Sequence, residues 1–155
     1  MIVENPQKIS IDEVIIKAEK FLQSFDYLDF ALLFGSYIKN TAGSLSDIDI
    51  GIYANRGVEL LELGFLTAKM ESLLKIKVDL IVLNNLYKKN PTISFEIAST
   101  GKLIFCKNEN LFIDFKSKSY LYYLDAKYLR DMVNRRFEKR LKEGLFGVRN
   151  NVRKA

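Results

Sequence analysis

An apolar run, Leu28 to Phe34, ends in Gly35-Ser36, and ten residues later the chain reads Asp47-Ile48-Asp49-Ile50. The run is apolar enough to be a buried strand, so Gly35-Ser36 falls where that strand turns into a helix. Backbone N–H groups at such a turn cradle phosphate. Asp47 and Asp49 stand two apart on a second expected strand, so both side chains project from one face while Ile48, Ile50 and Ile52 project from the other. Carboxylates placed in this way share divalent cations.

Composition narrows the chemistry further. The chain has no histidine, which removes Ser-His and Cys-His nucleophile pairs, imidazole zinc sites and histidine acid–base catalysis. Hard oxygen ligands remain, and they suit magnesium or manganese. The single cysteine, Cys106, follows Leu103-Ile104-Phe105 and reads as a reduced core residue, not a nucleophile. The chain's 155 residues, 48% of them hydrophobic, are enough for one core. No apolar run reaches the roughly 18 residues needed to span a bilayer, and the first residues lack the pattern of a signal peptide, so no membrane association and a cytoplasmic location are expected.

Charge is unevenly distributed. Residues 1–115 carry 12 basic and 15 acidic side chains, whereas residues 116–155 carry 12 and 4, giving a body of −3 and a tail of +8. Such a tail suits an acidic protein partner, nucleic acid or solvent, and charge alone does not separate them.

Periodicity gives the remaining elements. Ser10-Ile11-Asp12-Glu13 reads as a capping box, with Ile9 and Val14 as its staple, opening a helix that runs to about Phe25. A short helical turn follows from Ser36 to about Asn40, then a loop, Thr41-Ala42-Gly43-Ser44, into the Asp47 strand, which ends near Tyr53. Leu63, Leu66, Met70 and Leu73 mark a second helix, leading to Lys77 to Leu83 as a buried third strand containing Asp79. Asn90-Pro91 caps a helix that Gly101 closes, and Lys102 to Cys106 forms a fourth strand. From Asn110 a long amphipathic helix carries Leu121, Leu124, Tyr128 and Met132 on one stripe and Leu129, Val133, Phe137 and Leu141 beside it. Gly147 to Ala155, basic and polar, read as a frayed end.

Asp79 lies between Val78 and Leu80, and a third strand beside the second brings it onto the face of Asp47 and Asp49. Unpaired charges in apolar strands are costly to desolvate, so a cationic partner is expected. Three carboxylates on one face meet the needs of a two-metal site, in which one cation activates an attacking hydroxyl and the other steadies a leaving group. The plain alternative for Asp79 is a pairing with Lys75 or Lys77.

Gly-Ser, ten residues, Asp-x-Asp and a third acidic residue on a later strand resemble the nucleotidyltransferase superfamily related to DNA polymerase beta. The compact size resembles its minimal (MNT) branch, including MntA-like antitoxins of HEPN/MNT toxin–antitoxin pairs. The resemblance covers Leu28 to about Cys106. It implies an α/β fold, a small mixed β-sheet flanked by helices, here with a long C-terminal helix. Residues 1–109 would be the nucleotidyltransferase domain and residues 110–155 a basic helix and tail packed on it. It also implies that Gly35 and Ser36, with Lys39, hold the triphosphate of ATP, and that Asp47, Asp49 and Asp79 ligate two magnesium ions, with Asp79 as general base. Many minimal members read Gly-Ser-x-Ala-Arg-Gly where this chain has Gly35-Ser36-Tyr37-Ile38-Lys39-Asn40. Lysine keeps the charge and loses bidentate geometry, while Asn40 still suits a left-handed turn.

The resemblance implies transfer of AMP to a tyrosine of a HEPN-domain toxin, with the chain as its antitoxin in an oligomeric complex. The basic helix bearing Tyr120, Tyr122, Tyr123 and Tyr128 would be the docking surface; the plain reading of those tyrosines is half-buried helix residues. Two alternatives stay open: nucleotidylation of a small aminoglycoside-type compound, and stoichiometric inhibition of the partner without catalysis. Binding of nucleic acid through the tail is the less favoured partner reading.

Overall fold

The computed structural model describes residues 8–43 and 45–145. The predicted end at 147–155 lies outside them. The chain folds as α1 (Ile11–Leu22), β1 (Leu28–Phe34), a 3-10 turn (Gly35–Tyr37), β2 (Ile48–Ala54), α2 (Leu60–Leu74), β3 (Val78–Val82), α3 (Leu86–Lys89), α4 (Pro91–Thr100), β4 (Lys102–Cys106) and α5 (Glu109–Lys142). The four strands form one mixed sheet in the order β3-β2-β1-β4. β1 runs antiparallel to both β2 and β4, while β2 and β3 are parallel. This is the small mixed sheet expected.

Helices cover both faces. Ala31 and Leu33 of β1 join Ile48, Ile50 and Ile52 of β2 under Val14, Ala18 and Leu22 of α1 and Leu66 and Met70 of α2. On the opposite face Phe30 and Leu32 meet Ile97 and Ala98 of α4 and Phe115 of α5. With both sides covered, β1 reads as a hydrophobic run broken only at Asp29, which is itself buried. The alternation of β2 is visible because its second face carries the polar end of the sheet.

The caps are partly as expected. Ser10 Oγ accepts from the backbone N–H of Glu13 at 3.2 Å, but the Glu13 carboxylate pairs with Lys17 at 2.8 Å. The reciprocal capping box instead opens α2, between Glu59 and Glu62. Its buried stripe ends at Leu74, with Leu73 exposed. Helix α1 stops at Leu22, short of Phe25. Asn90 caps α4 by accepting from the Ile93 N–H, with Pro91 in the first turn. Gly101 ends α4 in an extended conformation; a Cβ there would lie 2.4 Å from the Ile97 carbonyl oxygen. Close backbone approach, not a left-handed turn, therefore demands glycine. The four-residue helix α3 has no periodic signature in the sequence.

Two expectations need correcting. β3 is an edge strand, not a buried one: Val78 and Leu80 enter the core while Asp79 is exposed. Cys106 is half-buried at the end of β4, where burial raises its thiol pKa.

Helix α5 has two parts. Its first third packs on the domain through Phe112 and Phe115 against Phe30, and through a 2.7 Å hydrogen bond between the hydroxyls of Ser119 and Ser94. Tyr122 meets Tyr87, and Phe95 takes Tyr120 edge-on and Tyr123 face-on at 4.0 Å. Beyond Tyr123 the apolar residues Leu124, Tyr128, Leu129 and Val133 stand exposed. Only the proximal part thus contributes to the core. Phe115→Ala should cost about 3–5 kcal/mol, whereas Leu129→Ala should stay within about 0.5 kcal/mol; urea unfolding of the two variants measures the contrast.

Candidate active site

The site forms where β1 ends and β2 and β3 begin. Phe34 is opposite Asp49 in the antiparallel β1–β2 pair, so the chain leaving β1 passes directly over the Asp49 carboxylate. Gly35 makes this possible: it has φ of +78°, and a Cβ on it would lie 2.0 Å from Asp49 Oδ2. The position needs glycine on both counts, conformation and space.

The loop after Gly35 is held by its own backbone. The N–H of Lys39 donates to the Gly35 carbonyl at 3.1 Å and that of Thr41 to the Ser36 carbonyl at 3.0 Å. Asn40 takes the expected left-handed conformation, φ 55°. Ser36 therefore sits in a fixed turn that follows the close approach of Gly35 to Asp49, with the next residue, Tyr37, buried in the core.

Parallel pairing sets Asp49 against Asp79 in register. Equivalent positions on neighbouring parallel strands share a face, so the two carboxylates lie side by side. Asp47 is exposed in the loop just before β2 rather than in the strand. The desolvation argument consequently applies to Asp49 alone, because the strand end opens Asp47 and Asp79 to solvent. Among the described residues, Asp79 forms no ion pair with Lys75 or Lys77.

Electrostatics ties the group together. Burial, followed by the carboxylates of Asp79, Asp47 and Glu96, raises the pKa of Asp49 above its ordinary value. A bound cation would offset both the burial and the like charges that disfavour its ionised form. Among the described residues no three carboxylates converge into a finished metal cage. The donor set still suits a hard divalent cation: all the groups are oxygens, two are register partners, and their mutual repulsion is what a cation would relieve.

Lys39 pairs with Glu96 of α4, one of the carboxylates felt at Asp49. Glu96 has no counterpart in the sequence reading. A signal was present: it is the only charged residue in α4.

A family profile described as polymerase beta, nucleotidyltransferase, matches residues 16–110. The chain belongs to this family. This nucleotidyltransferase is 37% identical over 87 residues to a Methanocaldococcus jannaschii protein named as a candidate protein adenylyltransferase, covering 56% of this chain and 87% of that protein. A second such protein from the same organism is 36% identical over the same lengths. Among solved structures, a toxin–antitoxin complex with AMP-PNP superposes with a TM-score of 0.65 at 23% identity, covering 83% of this chain and 98% of that one. A tri-AMPylated Shewanella oneidensis HEPN toxin in complex with MNT antitoxin gives 0.62 at 20%, covering 81% and 98%.

Two outcomes test the site. Gly35→Ala should destabilise the nucleotidyltransferase by about 1–3 kcal/mol, the range for a strained backbone position, read by urea unfolding. Because the folded Asp49 pKa is raised, its ionisation opposes folding: that contribution is absent below the unfolded carboxyl pKa and appears as pH rises through the folded one. Asp49→Asn should therefore raise Tm at pH 7, and the gain should vanish in acid, measured by thermal melts across pH.

Proposed function

We propose that this nucleotidyltransferase is a magnesium-dependent protein adenylyltransferase that transfers AMP from ATP to a tyrosine hydroxyl of a HEPN-domain toxin, acting as its antitoxin. The observation that carries the chemistry is the register pairing of Asp49 with Asp79 beneath the Gly35-Ser36 turn, with Asp47 two residues before Asp49. The names of the Methanocaldococcus relatives and the toxin–antitoxin neighbours support the choice of nucleotide and partner.

In this reading the Gly35-Ser36 turn holds the triphosphate and Asp47, Asp49 and Asp79 hold the cations. Bound magnesium supplies charge neutralisation on the phosphates and activation of the acceptor hydroxyl. Asp79 accepts the proton of the tyrosine hydroxyl, whose oxygen bonds to the α-phosphorus. The bond from that phosphorus to the bridging oxygen breaks in line, and pyrophosphate leaves. Asp79's place at the open edge of the sheet leaves room for a bulky protein acceptor beside it.

A protein acceptor is favoured over an aminoglycoside-type compound by the outer part of α5. Its exposed apolar residues are interleaved with Lys127, Arg130, Arg135 and Arg136. Bare nucleic acid gives such an apolar band little to bury, whereas an acidic helical protein matches both its apolar and its charged character. Tyr120, Tyr122 and Tyr123 already pack on α3 and α4, leaving Tyr128 as the tyrosine that extends this surface.

Label from α-labelled ATP should enter a HEPN toxin mixed with the wild-type chain and magnesium, and Asp47→Asn/Asp49→Asn should abolish it, read on a denaturing gel. Full neutralisation of the toxin by the double variant would instead establish stoichiometric inhibition. Leu129→Glu/Val133→Glu should lose toxin binding with unchanged Tm, measured by calorimetry.

A further inference from the structure

Lys39 and Glu96 come from distant parts of the chain and meet at the rim of the site. The lysine lies three residues after Ser36 in the phosphate turn, and the carboxylate belongs to α4, which is anchored in the core by Ile97 and Ala98. Both side chains are roughly half exposed. The Glu96 charge also acts on Asp49, after burial, Asp79 and Asp47.

Three features bear on what this pair does. The turn is shaped by the backbone hydrogen bonds of Lys39 and Thr41 to Gly35 and Ser36, so the Lys39 side chain is not needed to hold it. An exposed ion pair is weak and readily exchanged. A triphosphate carries several negative charges where Glu96 carries one, so it is the stronger partner for an ammonium. We infer that Glu96 is a positioning residue that holds Lys39 at the rim of the site, as a counter-ligand which the incoming triphosphate displaces.

The exchange has a direction. Before nucleotide arrives, Glu96 keeps the ammonium away from Asp49 and Asp79, which would otherwise draw it into the place where cations bind. Once Lys39 turns to the phosphates, the Glu96 carboxylate is left beside an acidic group and adds to its demand for cations. Glu96 thereby weakens nucleotide binding in exchange for keeping the cation position clear.

This inference rests on the nucleotidyl-transfer reading, and calorimetric titration of ATP into the intact protein in magnesium separates the two. Glu96→Gln should tighten ATP binding by about two- to fivefold, the scale of one exposed ion pair. Lys39→Met should weaken it, and Glu96→Gln should lose most of its effect in the Lys39→Met background, where no cation remains to be released. ATP affinity unchanged or reduced in Glu96→Gln would overturn the counter-ligand role while leaving nucleotidyl transfer standing. A wild-type chain that binds no ATP would overturn both.

Discussion

The parallel pairing of β2 with β3 is the constraint on which the candidate site depends. Parallel strands cannot be joined by a tight turn, so a helical crossover must intervene, and α2 supplies it. The register of that pair places Asp49 beside Asp79. A slip of one residue would send one of the two carboxylates into the apolar face held by Ile48, Ile50 and Ile52, and burying a charge there is far more costly than keeping it at the open edge. The hydrophobic core therefore fixes the spacing of the polar groups without touching them.

A second constraint acts from above. Gly35 brings the backbone close over Asp49, and the turn that follows is held by main-chain bonds and by Tyr37 buried in the core. The polar side chains around the site have electrostatic roles: burial and then the neighbouring acidic groups raise the Asp49 pKa, and Glu96 holds the nearby lysine. Rigid backbone and exchangeable side chains are a suitable division for a family whose substrates bring much of the charge themselves.

Most of this was legible in the sequence because it rests on short-range rules. The apolar run of β1, the alternation of β2, the Asn90-Pro91 cap and the left-handed Asn40 all follow from local periodicity and backbone preference. What the sequence left out was set by tertiary placement. The edge position of β3 depends on strand order, which the apolar Val78 and Leu80 do not reveal, since one covered face already calls for them. Glu96 joins the site only because the fold brings α4 to the segment after β1, where its carboxylate meets Lys39. The α2 capping box was overlooked because its cap is Glu59, an unusual residue for that role. Helix α5 showed its apolar stripe clearly, but a stripe does not say whether its own domain covers it.

That last feature has a thermodynamic consequence. From Leu124 to Lys142 the helix runs about 28 Å at 1.5 Å per residue, with its apolar residues largely in water. A free helix of this length lies close to the marginal limit for isolated helices. Its helicity is therefore sustained by the packed segment from which it grows and by weak local pairs such as Lys139 with Glu143. A protein that covers this segment meets a helix that is already formed, so association there carries the negative heat capacity of apolar burial with little of the ordering entropy that coupled folding would cost.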